Sequence, residues 1–315
     1  MRVTVSNRPV REILGGLVWR RTCIISDKFR VKPGHKLKLK KVDAGFKGHH
    51  ETEEAATVEI EHYRHKMAKM QSLLCAEKKR SVLIVLQALD AGGKDGTVNH
   101  VFSVLNPQGA RVVGFKQPTS EELAHDFLWR VHPHAPAKGD VAVFNRSHYE
   151  DVLVVRVHRL VPKDMWSKRY ALIREFEHLL RTAGGTTVVK FFLHISKEEQ
   201  LKRFEQRLED PERQWKIAES DYTERDRWDD YVGAYEDALT ETSTEHAPWY
   251  VVPADKKWVR NLMVAKVLVD TLKSMNIRPP EPTVDLHRIR AAFHKASNAG
   301  SKPGKGKPRR KGRKA

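Results

Sequence analysis

The chain has 315 residues, 40% of them hydrophobic and 31% charged, with a formal net charge of +18 at pH 7. That length suits one large domain with appendages better than two independent domains. A mean hydropathy of −0.59 and the lack of any apolar run of bilayer length exclude a helical membrane span, and a pI of about 9.8 calls for a polyanionic partner such as nucleic acid, a membrane surface or polyphosphate.

Residues 1–26 contain short apolar pieces broken by arginines and no small-residue cleavage site, so they do not read as a signal peptide. With only Cys23 and Cys75, a disulfide framework is not expected, and a cytoplasmic protein is the simplest reading. Residues 1–50 are taken as an N-terminal extension and basic arm, 51–280 as the core, and 281–315 as a basic low-complexity tail that loses apolar periodicity after Pro280. The last segment, 301–315, is expected to be disordered.

A helix is predicted over Thr52–Glu77 from Val58, Ile60, Tyr63, Met67, Met70 and Leu74. Five apolar runs follow, at 81–89, 110–115, 140–144, 186–195 and 248–253, each read as a strand buried on both faces. Helical segments at 94–105, 121–130, 168–181 and 256–273 alternate with them. The pattern predicts a three-layer α/β fold with a parallel sheet. Thr119 with Glu122, and Ser196 with Glu199, fit capping boxes. Between the fourth and fifth strands lies a helical insertion, roughly 196–243, broken near Asp210-Pro211. Its second half sets Trp228, Tyr231, Tyr235, Leu239 and Thr242 on one face. Such an insertion suits a mobile lid.

The strongest chemical signal is ALDAGGKDGT (88–97), between the first strand and a helix, the context a phosphate-binding loop requires. Gly92, Gly93 and Gly96 let backbone N–H groups turn toward an anion, and Lys94 adds a mobile charge. The Walker A pattern is incomplete: Ala88 stands at the first glycine position, and Asp95 replaces the hydroxyl that would hold Mg²⁺. Asp90 could supply a carboxylate instead. The third strand ends in FNRSHYED, which should bring Asn145, Arg146 and Ser147 to the carboxyl edge of the sheet, where ligands of open parallel sheets bind. Arg146 suits transferring phosphoryl oxygens and Glu150 a metal, although Asn145 and Ser147 could simply cap the following helix.

ALDAGGKDG, FNRSHYED, RLEDPERQWK (207–216) and TSTEHAPWYVVPADKK (242–257), in that order, resemble the polyphosphate kinase 2 family, with similarity from about Val31 to Met275. The resemblance implies a P-loop kinase core with a helical lid, and Mg²⁺-dependent transfer between polyphosphate and nucleotides. It places Asp90 and Lys94 at the reacting phosphates and Arg146 after the third strand. Where the family often has DRSWYN, this chain has Asn145, His148 and Glu150. Loss of the aspartate removes an expected metal ligand, for which Glu150 could compensate. The NRSHYE version resembles the subgroup that phosphorylates both nucleoside monophosphates and diphosphates, so AMP could be carried to ATP.

Arg203 and Arg207, four apart on the first lid helix, and Lys216 would line a polyanion channel if the lid closes; alone, they would read as a solvated helix face. Lys116 and Arg130 could approach the acceptor nucleotide, as could Asn145. The histidines His125, His132, His134 and His148 do not form a zinc pattern, and Trp249 reads as core. A homo-oligomer is the working expectation, with nucleic acid met only nonspecifically through the tail. The alternatives are an ATP-dependent nucleotide kinase and a basic nucleic-acid-binding protein.

Overall fold

The computed structural model describes residues 27–300. The readings of 1–26 as part of an extension, of Cys23, and of 301–315 as a disordered tail lie outside the described residues.

Helix α1 (Glu53–Glu77) starts at Thr52, whose hydroxyl accepts from the Ala55 N–H at 3.3 Å. There follow β1 (Ser81–Ala88), α2 (Lys94–Val101), β2 (Ala110–Gly114), α3 (Ser120–Leu123), β3 (Val141–Asn145), α4 (Val154–Val157), α5 (Lys163–Gly184) and β4 (Thr186–His194). The chain continues through α6 (Lys197–Glu209), α7 (Glu219–Asp226), α8 (Trp228–Thr242), β5 (Trp249–Pro253) and α9 (Lys257–Ser274). The five strands form one parallel sheet in the order β2-β3-β1-β4-β5. No helix among the described residues is long and apolar enough to cross a membrane.

Central strand β1 is buried along its whole length, and its alternating side chains serve two cores. Val82, Ile84, Leu86 and Ala88 pack with Ile60, Met67 and Leu74 of α1 and with Leu262 and Val269 of α9. Leu83 and Val85 pack with Ile173 and Leu180 of α5 and with Tyr235 and Leu239 of α8. Helices therefore cover both faces of the sheet, giving the three layers expected of strand–helix alternation. Trp249 is fully buried, as core.

The turn after β3 is anchored from below. The Tyr149 hydroxyl donates to Glu177 at 2.8 Å, and Lys190 reaches Glu177 at 2.6 Å, with the lysine and glutamate side chains both 0% exposed. His148 is buried in the same cluster, which removes it from any surface metal set.

Several elements differ from the sequence reading. Of the 110–115 run only Phe115 is buried: β2 is an edge strand with Val112 half exposed. The 121–130 helix stops at Leu123, because the Asp126 carboxylate accepts from the Leu128 N–H at 2.9 Å and turns the chain. Thr119 and Glu122 do form a complete capping box. Ser196 accepts from the Glu199 N–H at 3.1 Å, but the Glu199 carboxylate turns instead to Arg203. Asp210 closes α6, and Pro211 opens a turn rather than a new helix. In the insertion, α8 buries Tyr235, Leu239 and Thr242 in the core, so any lid is confined to the stretch before it. Beyond Arg278 a separate unit contains α10 (Leu286–Gly300), where the reading had a tail without periodicity. Asp285 starts this helix by accepting from the N–H groups of His287 and Arg288, and Leu286, Ile289 and Phe293 recur at helical spacing.

Candidate active site

The carboxyl ends of β1 and β3 lie side by side, with Leu86 paired to Asn145. From the first leaves the 88–97 loop and from the second the Asn145–Arg146 turn, and a cleft of about 890 Å³ opens above both. An apolar groove of similar size lies against Phe127, Trp129, Leu172 and Leu179, and chemistry separates the two. Nine of the residues lining the cleft are lysine or arginine and three are aspartate.

The loop requires its glycines. A Cβ on Gly92 would come within 2.5 Å of the Ala88 Cβ, and Gly93 has φ +96°. A Cβ there would also lie 2.0 Å from the Arg260 guanidinium. Ala91 and Arg146 also hold positive φ, at 58° and 63°. Of the five non-glycine residues with positive φ among the described residues, these two face the cleft and carry a backbone cost there.

Asp90, Gly93, Lys94, Asp95, Gly96, Lys116, Asn145, Arg146, Arg203, Arg207 and Lys216 all line the cleft. Lys94 Nζ donates to the Ala88 carbonyl at 2.9 Å, and Arg146 Nη2 lies 3.3 Å from Asp90 Oδ1. Asn145 donates from Nδ2 to Asp95 Oδ1 at 2.8 Å. Burial, and then the Arg146 charge, push the Lys94 amine below its ordinary range. Burial works against the Arg146 charge, but Glu150 and Asp90 outweigh it and raise the guanidinium.

Gly92 is buried in the loop and does not line the cleft, and three further predicted residues are placed differently. Arg203 is 7% exposed, and its guanidinium is engaged with the carbonyls of Ala91 at 2.8 Å and Ala254 at 2.5 Å and with Glu199. It ties α6 to the loop, and Gln200 does the same by donating to the Asp90 carbonyl at 2.9 Å. Arg130 does not line the cleft: it donates to the Lys116 carbonyl, faces Glu122 at 3.4 Å and covers the Phe115 ring. Glu150 sits behind the cleft wall, where burial raises its pKa despite the nearby Arg146 and Lys94 charges. That position makes it a counter-charge to those cations. The carboxylates that reach the cleft beside the loop are Asp90 and Asp95, hard oxygen donors suited to Mg²⁺ shared with substrate phosphates.

The sequence reading missed Arg260. It lies in the first turn of α9, 2% exposed, and points at Gly93 and Gly96. Its guanidinium donates to the side-chain oxygen of the neutral Asn261, from Nε at 3.1 Å and from Nη2 at 2.9 Å. Burial, and then Arg203, lower its pKa to about 10. A cation embedded in the apolar stretch KWVRNLMVAKVLV was the available signal. Also missed was Trp215, 77% exposed at the cleft mouth, with the Lys216 amine 5.0 Å from its ring centroid.

A family model described as polyphosphate kinase 2 matches residues 50–280. The chain is 50% identical over 266 residues to the AMP/ADP-polyphosphate phosphotransferase of Meiothermus ruber, covering 83% of this chain and 98% of that protein. It is 45% identical over 276 residues to the ADP-polyphosphate phosphotransferase of Rhodopseudomonas palustris, covering 82% of this chain and 94% of that one. The crystal structure of polyphosphate kinase 2 from Arthrobacter aurescens superimposes with a TM-score of 0.82 at 41% identity, over 85% of this chain and 96% of that one.

Proposed function

The chain belongs to the polyphosphate kinase 2 family, and on that premise we propose that it transfers phosphoryl groups between inorganic polyphosphate and nucleotides, carrying AMP to ADP and ADP to ATP. The observation that carries this reading is the charge of the cleft, whose lining has nine lysines and arginines against three aspartates. Lys94, Lys257 and Arg260 are all held below their ordinary pKa, each first by burial and then by neighbouring cations. A linear polyanion in the cleft would relieve all three at once.

In the transfer, an anionic oxygen of the nucleotide's last phosphate attacks the terminal phosphorus of the polyphosphate in line. A new P–O bond forms, the adjacent P–O–P bond breaks, and the shortened chain leaves as an anion. The nucleophile is already ionised, so no general base is needed, and catalysis is positioning and charge neutralisation. Lys94 and Arg146 meet the equatorial oxygens. Arg260, behind Gly93 and Gly96, holds the phosphates against the loop, and Arg203 and Gln200 fix the loop's backbone. Asp90 with Asp95 would hold Mg²⁺, which would supply charge neutralisation at the reacting phosphates. Arg207, Lys216 and Lys116 extend the basic lining along the polymer.

The test is a time course by anion-exchange chromatography, starting from AMP, polyphosphate and Mg²⁺ without ADP or ATP. ADP should appear first and ATP later. ADP alone would restrict the acceptor to monophosphates, and no consumption of AMP while ADP is used would restrict it to diphosphates. Transfer only when ATP is added would make the protein an ordinary nucleotide kinase.

A further inference from the structure

Away from the cleft, the end of the basic arm meets the second turn of α1. After Gly48, in a left-handed turn at φ +72°, two consecutive histidines direct their Nε2 atoms at one oxygen of Glu59. His49 lies 3.0 Å and His50 2.6 Å from Oε2, and the two rings are 4.1 Å apart at their centroids. The other carboxylate oxygen accepts from the Tyr63 hydroxyl at 2.9 Å, one helical turn further on. The histidine side chains are 27% and 18% exposed and that of Glu59 14%. All three ligand atoms lie within 4.8 Å of one another.

We propose that His49, His50 and Glu59 bind a transition-metal dication of the zinc type, fastening the arm to α1. Two imidazoles and one carboxylate are a donor set that suits zinc and its neighbours and does not suit Mg²⁺, which takes oxygen ligands. In a tetrahedral site with bonds near 2.0–2.1 Å, donor atoms stand roughly 3.3 Å apart. The observed N–O separations of 3.0 and 2.6 Å fall roughly 0.3 and 0.7 Å short of that, a gap that side-chain rotation closes. The Tyr63 hydroxyl supplies the outer hydrogen bond that orients a ligating carboxylate. Partial exposure of His49 leaves the fourth position to water.

The arm links this site to the cleft's foundations. The Ala44 carbonyl accepts from the Asp255 N–H at 3.2 Å, and the Asp255 carboxylate accepts from the Ser196 N–H, at the start of α6, at 2.8 Å. A metal at 49, 50 and 59 would therefore hold the arm where it braces the base of α6. The site shares no residue with the phosphotransfer machinery, so its test is independent of that assignment.

Untagged, chelator-treated full-length protein is titrated with Co²⁺ and followed by its visible absorption, then with Zn²⁺ as competitor. The parent should bind one equivalent of Co²⁺ with tetrahedral-type bands, Zn²⁺ should displace it, and millimolar Mg²⁺ should not. His49→Asn/His50→Asn should weaken binding at least a hundredfold and abolish the rise in melting temperature that saturating Zn²⁺ gives the parent. Should the double variant fail to fold by circular dichroism, Glu59→Gln, which keeps the side chain's size, should show the same loss. Absence of a stoichiometric Co²⁺ band in the parent overturns the proposal. So does a band of unchanged strength in the folded variants, which would place the ion among the other histidines.

Discussion

Arg146 and Asp90 meet at 3.3 Å across the floor of the cleft, one leaving the third strand and the other the loop after the first. The contact depends on Arg146 holding φ +63°, a conformation that costs a non-glycine residue about 1–2 kcal/mol. Arg146→Gly and Arg146→Ala should therefore both lose activity, by on the order of a hundredfold. The glycine variant should be the more stable of the two by about 1 kcal/mol. Equal melting temperatures for the pair would show that the backbone carries no strain there.

Lys94→Ala should lower kcat by about a hundredfold or more, because the amine faces the cleft and neutralises reacting oxygens. The fold should survive, since the lost Nζ hydrogen bond goes only to the Ala88 carbonyl. A folded variant with near-parental turnover would remove Lys94 from the site.

Asp90→Asn should raise the Mg²⁺ concentration needed for half-maximal rate, as the loop has no hydroxyl after Lys94 and Asp90 lines the cleft. Glu150→Gln should shift that requirement less, because Glu150 lies behind the wall. The reverse order of effects would make Glu150 the metal ligand and Asp90 the partner of Arg146.

Local pattern and distant packing divide what the sequence could show. A continuous apolar run ended by AGGKDG announces a buried strand and an anion loop, and a polar FNRSH after another such run announces its neighbour, so Asp90, Lys94 and Arg146 could be named without a structure. For Arg260 the sequence offered only a cation inside an apolar run, and its approach to Gly93 depends on how α9 packs. Arg203 was named from the sequence as a polyanion contact, and it does line the cleft. Helical spacing put it on the lid, whereas its exhaustion by backbone carbonyls is a three-dimensional fact. Arg130 does not line the cleft because its neighbours Phe115 and Glu122 hold it. The buried reading of 110–115 failed because apolar composition alone cannot distinguish an edge strand from a central one.

Asp151 supplies a pH test of the fold. Burial raises its pKa from 3.8 to about 6, although it pairs with Arg169 at 2.9 Å. A carboxyl whose folded pKa exceeds its unfolded value binds more protons in the native state. Its contribution to stability is therefore full below the unfolded pKa and is lost as pH rises through the folded one. Asp151→Asn lacks this titration, so its stability relative to the parent should rise between pH 4 and pH 7, by about 2–3 kcal/mol at one pKa unit per 1.36 kcal/mol. Denaturant melts at the two pH values measure it. A difference that stays constant or falls with pH would mean that Arg169 holds the carboxylate ionised throughout.

Arg260 should show stability and function pulling apart. It is 2% exposed, its guanidinium donates to the neutral Asn261, and its pKa is lowered to about 10. Burying a cation without a counter-charge opposes folding, and replacing it by an apolar side chain of similar length removes that cost. Arg260→Met should therefore melt at the same temperature as the parent or higher when no ligand is present. Phosphates resting on Gly93 and Gly96 would lose a charge-assisted hydrogen-bond donor, worth about 1.5–3 kcal/mol. The KM for polyphosphate should rise on the order of tenfold or more at that magnitude, and the gain in melting temperature that polyphosphate gives the parent should shrink. A variant that is strongly destabilised without ligand, yet binds polyphosphate as the parent does, would make Arg260 a structural residue whose approach to the loop has no part in holding phosphate.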